Sequence, residues 1–250
     1  MSAGIQDLPW HGWGVSCIGP RHRHAGLPNQ DAWLLRRTRL GELLVVADGL
    51  GSRALSHLGA RAACRAAADA LALTPAPAPG SVPDSAALLA TLHARWLAHV
   101  WPHAPRSCAT TCLLALRSGP HLILAQLGDG MALACRTGAG ADFVLASREN
   151  DFGNQTDCLR ERHAPQAWRV AQLGAAGWGG VLLCTDGIAD DLAPGQESAF
   201  AHALLAQAQG RSARAQRRDA RRWLGEWPVP GHTDDKTIGC LLAPTEDNDA

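Results

Sequence analysis

Tyrosine is absent, phenylalanine occurs three times and methionine twice, so aromatic packing falls almost wholly to nine tryptophans. Lysine is nearly absent too. Lys236 stands alone among 23 basic residues, and 23 acidic ones bring the formal net charge to zero. A neutral chain has no bulk attraction for nucleic acid or an anionic membrane. Basic stretches interleaved with aromatics, the footprint of a nucleic-acid reader, are missing as well. No apolar run approaches the ~20 residues that a spanning helix needs. The opening MSAGIQDLPW has neither the basic nor the apolar region of a secretory signal. Cys-x-x-Cys does not occur. The eight cysteines stand at 17, 64, 108, 112, 135, 158, 184 and 240, several of them inside apolar runs where a thiol behaves as a small hydrophobe. They read as reduced thiols of a cytoplasmic protein. No heptad or broad apolar stripe is left over, so a monomer is expected.

What is present suits one globular domain over all 250 residues, 46% of them hydrophobic. Its core spans about 12–242, with an acidic tail over 243–250. GWGVSCIG, AWLLRRT, ELLVVAD, ATTCLLAL, HLILAQLGD and MALACR read as short strands, and DFVLAS, AWRVAQL, GGVLLCTD and KTIGCLL continue them. SGP and GDG read as hairpin turns, which makes the flanking strands antiparallel. Residues 54–73 and 83–101 carry apolar stripes at helical spacing, the second with Asp84 or Ser85 as N-cap. Weaker helical patterns follow at ESAFAHALLAQAQ and SARAQRRDARRWL. The arginines of the latter read as a solvated face. Trp96, Trp101, Trp168 and Trp223 lie in apolar patterns and are expected in the core. His57, His93, His99 and His103 read as packing or surface residues. Strands and helices in blocks indicate an α+β fold.

Three apolar runs each deliver an aspartate beside glycine. LLVVADGLGS does so at Asp48, LILAQLGDG at Asp129 and VLLCTDGIAD at Asp186. Hard divalent cations take oxygen ligands, and carboxylates converging from strand ends supply them. Glycine after the aspartate lets the backbone turn and brings its carbonyl close. Asp31, Asp190, Asp234 and Asp235 complete the candidates. A single Asp-Gly is usually only a turn; the series is far more specific.

The series NQDA, VVADGLGS, ATT, LGDG, LLCTDGIADDL and TDDKTIG resembles, in order, the motifs of the metal-dependent type 2C serine/threonine protein phosphatases, most closely their compact bacterial branch. The likeness runs from about residue 12 to 242. It implies a four-layer α-β-β-α sandwich of two antiparallel sheets flanked by helix pairs, and two Mn²⁺ or Mg²⁺ ions at one end. By that resemblance Asp48 bridges both metals, Gly49 offers its carbonyl to the second, and Asp186 and Asp234 complete the first. Asp31 acts through the metals' water. Asp129 and Asp190 match the pair that holds a third, weaker metal in some members. The implied reaction is attack by a metal-bridging hydroxide on a phosphoserine or phosphothreonine of a protein, such as the substrate of a serine/threonine kinase.

Three positions depart from the family's pattern. Gln30 stands for an acidic residue, Gly26 for a phosphate-holding arginine, and Leu50 for a histidine common in eukaryotic members. Arg21, His22, Arg23 and His24 lie just upstream in a basic loop as alternative phosphate contacts. A catalytically weak or silent relative that binds metal or a phosphoprotein therefore stays open, as does another metal-dependent phosphoesterase. Residues 147–167 match a variable flap that the resemblance places beside the site.

Overall fold

The computed structural model of the chain describes residues 9–78, 80–138, 140–145, 156–162 and 165–244. In chain order its elements are β1 (His11–Cys17), α1 (Pro20–His24), β2 (Asp31–Thr38), β3 (Gly41–Asp48), α2 (Ser56–Leu73), α3 (Ser85–Val100), β4 (Cys112–Ser118), β5 (His121–Leu127), β6 (Met131–Arg136), β7 (Phe143–Leu145), β8 (Arg169–Gly174), β9 (Trp178–Cys184), α4 (Asp186–Ala189), α5 (Glu197–Ala208), α6 (Ala213–Gly225) and β10 (Lys236–Leu242). The strands make two antiparallel sheets, ordered β1-β10-β9-β6-β7 and β2-β3-β4-β5-β8.

The inner strands read as almost continuous apolar runs because both of their faces are buried. On β3, Leu44 and Val46 point between the sheets, where they meet Leu113 and Leu124 from their own sheet and Val181, Leu183 and Leu241 from the other. Leu43, Val45 and Ala47 point the opposite way, onto α2 and α3. Leu182, Cys184, Ile238 and Cys240 likewise face Ala201, Leu205 and Leu224 of α5 and α6. Period-two alternation thus divides each strand between two apolar layers, and the result is the expected α-β-β-α sandwich.

The helices use different side chains to cover their sheets. α2 buries Ala60, Ala63, Ala67 and Ala70, whose small side chains allow close approach. α3 buries Leu88, Leu92, Trp96 and Val100, each one turn after the last, and Asp84 caps its start through Ala86 N and Ala87 N at 2.9 and 3.1 Å. Trp96 is wholly buried, and its Nε1 donates to the Gly59 carbonyl of α2 at 3.1 Å. α6 leaves Arg214, Arg217, Arg218 and Arg221 exposed, the solvated face its sequence suggests. All eight cysteines are free. Burial pushes the thiols of Cys112 and Cys135 up to about 12, so they pack as neutral groups.

Three expectations need correction. GDG is not a hairpin. β5 pairs with β4 and β8, whereas β6 pairs with β9 and β7, so the chain changes sheets there. Gly128 and Gly130 at φ 100° and 89° turn it out of one sheet and into the other. A corner and a hairpin need the same residue types, and sequence alone does not separate them. The basic loop at 20–24 is a short helix, opened by Pro20 and ended where Gly26 N and Leu27 N donate back to Arg23 and His22. Trp101 is 78% exposed, because it lies past the last buried turn of α3, where Pro102 stops the helix. Most of the flap expected over 147–167, and the tail residues 245–250, lie outside the described residues. No helix among the described residues is long and apolar enough to cross a membrane.

Trp96→Ala removes the largest side chain between α2 and α3 together with its hydrogen bond to the Gly59 carbonyl. Denaturant unfolding should show a loss of about 3–5 kcal/mol.

Candidate active site

The two sheets present their aspartates at one end. Asp31 opens β2 and Asp48 closes β3, directly opposite in the antiparallel register. Their carboxyls are close enough for each to shift the other's protonation. The backbone of Asp48 is pinned by the ATT stretch before β4. Asp48 N donates to Thr111 Oγ1 at 3.0 Å, while its carbonyl accepts Thr111 N at 2.8 Å and Thr110 Oγ1 at 2.7 Å. Gly49 is required by contact: a Cβ there would lie 2.7 Å from the backbone and side chain of Ser56 at the start of α2.

The other sheet contributes through its loops. Asp129 sits at the crossover corner, with Oδ2 accepting Thr156 Oγ1 at 3.0 Å. Asp186 opens α4 directly after β9, and Asp190 follows one turn later, its N donating to the Asp186 carbonyl at 2.9 Å. Each of Asp48, Asp129 and Asp186 has a carboxylate oxygen within 4.8 Å of the other two. Asp129, associated by the family resemblance with a weaker outlying ion, thus stands inside the tightest group. Asp234 is exposed and outside that trio; its Oδ1 accepts Asp235 N at 2.9 Å. It is still near enough for its charge to act on Asp48 and Asp186.

Burial and mutual repulsion act together on these acids. Burial, and then the charges of Asp31, Asp186 and Asp234, hold Asp48 well above the usual carboxylate range. Asp31 rises to about 6, mainly by burial and then by Asp235, against hydrogen bonds from Asp48, Thr237 and Thr185. Asp186 rises to about 7 through burial, Asp129, Asp234 and Asp31. Asp190 is raised by burial, Asp129, Asp191 and Asp234. Asp31 Oδ1 and Gln30 Oε1 are buried with no hydrogen-bond donor among the described residues. Hard oxygens, surplus negative charge and unsatisfied buried acceptors together fit a divalent cation with its water.

Sequence reasoning counted Asp235 among the candidate cation ligands and missed its structural role, which is to tie the end of the molecule together. Buried to 1% exposure, it accepts Gly19 N and Gln30 N, each at 2.6 Å, and pairs with His22 Nδ1 at 2.9 Å. Its signal was the doubled aspartate in TDDKT, since a strand entry needs only one carboxylate for a rim ligand. Thr185 was missed too; its hydroxyl donates to Asp31 Oδ2 at 3.0 Å and accepts Thr237 N at 3.0 Å. His22 is buried against Asp235, unlike Arg21, Arg23 and His24, which stay exposed on α1. Arg23 donates to the Ile18 carbonyl at 3.2 Å. α1 is held to the aspartate segment by Arg21 N donating to the Thr233 carbonyl at 3.1 Å.

The sequence profile described as Protein phosphatase 2C matches residues 18–227, an interval that contains Asp31, Asp48, Asp129, Asp186 and Asp190. The chain belongs to the protein phosphatase 2C family. No curated protein sequence matches it. Among solved structures it is similar to the photosystem II phosphatase PBCP, at 16% identity and TM-score 0.65 over 94% of this chain and 99% of that one. It is similar to PppA, described as a key regulatory component of T6SS in Pseudomonas aeruginosa, at 19% identity and TM-score 0.64 over 95% and 99%. The catalytic domain of the serine/threonine protein phosphatase PstP, solved with two manganese ions, matches at 20% identity and TM-score 0.60 over 93% and 97%. At these identities the structures speak for the fold. Asp48 ends β3, Asp186 opens α4, and Asp234 lies in the loop before β10.

Two measurements test this site. Asp235→Ala leaves two buried N–H donors and His22 without their acceptor, so chemical denaturation should show a loss of about 2–4 kcal/mol. The second concerns pH. Without metal, Asp31 and Asp186 hold protons in the folded chain up to about 6 and 7, whereas the unfolded chain releases them near about pH 4. Their contribution is fully present below about pH 4 and is lost as pH rises through those folded values. The melting temperature of chelator-treated protein should therefore fall between about pH 5 and pH 8. Asp186→Asn should flatten the slope, and Mn²⁺ should restore stability most at the alkaline end.

Proposed function

We propose that the chain is a Mn²⁺- or Mg²⁺-dependent phosphatase of phosphoserine and phosphothreonine in proteins. The observation that carries this reading is the meeting of Asp48, Asp129 and Asp186, from three separate elements, within 4.8 Å. Asp48, Asp186 and Asp234 would hold a divalent pair together with the Gly49 carbonyl, and Asp129 and Asp190 would bind on the same side. When bound, the cations supply acidity to a coordinated water and neutralise charge on the phosphoryl group. The chain's own residues do the positioning. Thr110 and Thr111 fix the Asp48 backbone, and Thr185 orients Asp31. Asp31 and Gln30 offer buried acceptors to orient water. Arg21, Arg23 and His24 on α1 are basic side chains available to meet the substrate's phosphate, whereas His22 positions α1 through Asp235. No cysteine is needed as nucleophile, in keeping with thiols that burial keeps protonated.

The departures at Gln30, Gly26 and Leu50 favour a second reading, a weak or silent member that binds a phosphoprotein without turning it over. Hydrolysis of p-nitrophenyl phosphate and of a phosphothreonine peptide separates the two. Turnover should require Mn²⁺ or Mg²⁺ and vanish with chelator. It should fall by at least about 100-fold in Asp48→Ala and in Asp186→Ala. Metal-supplied wild type no faster than Asp48→Ala would leave only the binding role.

A further inference from the structure

Beside the carboxylates lies a second, oppositely charged bay. A cavity of about 340 Å³ is lined by Leu50, Gly51 and Arg53 after β3, by Arg106 before β4, and by Thr156 and Arg160. Paired backbone holds the segments that line it together. Thr110 bridges Gly49 on one side and Leu159 on the other. Leu159 N donates to the Thr110 carbonyl at 2.7 Å, and Leu50 N donates to the Ala109 carbonyl at 3.0 Å. The bay also shares a wall with the acidic cluster, because Thr156 Oγ1 donates to Asp129 Oδ2 at 3.0 Å.

Several arginines elsewhere in the molecule have carboxylate partners: Arg37 and Arg117 meet Glu42, Arg95 meets Asp69, and Arg211 and Arg218 meet Asp219. Among the described residues, no ion pair or side-chain hydrogen bond satisfies Arg53, Arg106 or Arg160, and Arg160 Nε is buried without a partner. Three guanidinium groups around one concavity repel each other unless an anion sits between them. Arginine's planar fork matches the oxygens of a phosphate or carboxylate.

We infer that this arginine bay binds a second anionic group, a phosphate or a carboxylate, carried on the same polypeptide as the phosphoester held at the aspartates. The inference rests on the proposed phosphatase reading for its substrate, but the bay's binding is measurable without turnover. Leu50 lies two residues beyond Asp48, a reach of about 7 Å along the chain. An extended substrate advances about 3.3 Å per residue. The near edge of the bay is therefore within a few substrate residues of the scissile phosphoresidue, and substrates phosphorylated twice, or flanked by acidic residues, are preferred.

The test uses full-length protein with Mn²⁺ and three phosphothreonine peptides that differ only at the positions two and three residues away. These carry phosphoserine, glutamate or alanine. Binding is read by fluorescence anisotropy and turnover by phosphate release. The phosphoserine peptide should bind and react about tenfold better than the alanine peptide, with glutamate between them and the advantage shrinking as salt rises. Arg53→Ala with Arg160→Ala should bring the ratio close to one. Arg214→Ala with Arg217→Ala, on the remote face of α6, should leave it intact. Since Arg160 is partly buried, Arg53→Glu with Arg106→Glu provides an exposed alternative, which should reverse the preference towards a peptide with lysine at those positions. Equal binding of all three peptides to wild type, or a ratio indifferent to the bay variants, overturns the inference. Peptides that bind with the expected ranking but never release phosphate uphold the bay and overturn the phosphatase reading instead.

Discussion

Several carboxylates of one sign are forced together at the end of a sandwich, and the rest of the molecule is arranged around that repulsion. Asp48, Asp129 and Asp186 bring carboxylate oxygens within 4.8 Å of one another, with Asp31 opposite Asp48, so like charges crowd together unless a counter-charge is present. Burial makes this worse, because water is not there to screen them. Burial is the larger cause of the raised positions of Asp31, Asp48 and Asp186, and the neighbouring charges add to it. A fold free to relax would move these side chains apart. This one does not, because each backbone is fixed by something stronger than the local repulsion.

The fixing is done by hydrogen bonds and close backbone contact. Register between β2 and β3 sets Asp31 against Asp48, and slipping it by one residue would turn every core side chain of β3 to the wrong face. Thr110 and Thr111 hold the Asp48 peptide from the neighbouring strand. The corner at Gly128–Gly130 carries Asp129 across from one sheet to the other, so one chain reversal also delivers a ligand-type side chain between the sheets. Asp235 completes the arrangement from below, as the acceptor that joins β10 to α1 and to the entry of β2. Rigid placement of acids before any ion arrives is what a binding site for a hard cation requires.

The same end of the sandwich carries its positive charge in separate places. α1 presents Arg21 and Arg23 on one flank, and the bay formed by Arg53, Arg106 and Arg160 lies on another. Acids at the centre with cations at the rim suit a substrate that is itself an anion: metal neutralises the reacting group while arginines meet the remainder. On the proposed reading, chemistry and selection of the substrate reside in different elements, and the second can vary without disturbing the first.

The sequence by itself determined the ten strands, the four long helices and the aspartates that end apolar runs, since local periodicity and Asp-Gly steps report directly on short stretches of chain. It also determined the family, because the motif order spans most of the chain. What it left undecided depended on partners distant in sequence. Whether GDG is a hairpin or a corner depends on which strand lies alongside, and the residues for both are alike. That His22 turns inward was set by an aspartate 213 positions away, beyond the reach of any local pattern. The arginine bay exists only because three separated segments pair their backbones through Thr110. Tertiary structure decided these matters because charge acts through space, and folding alone determines which charges become neighbours.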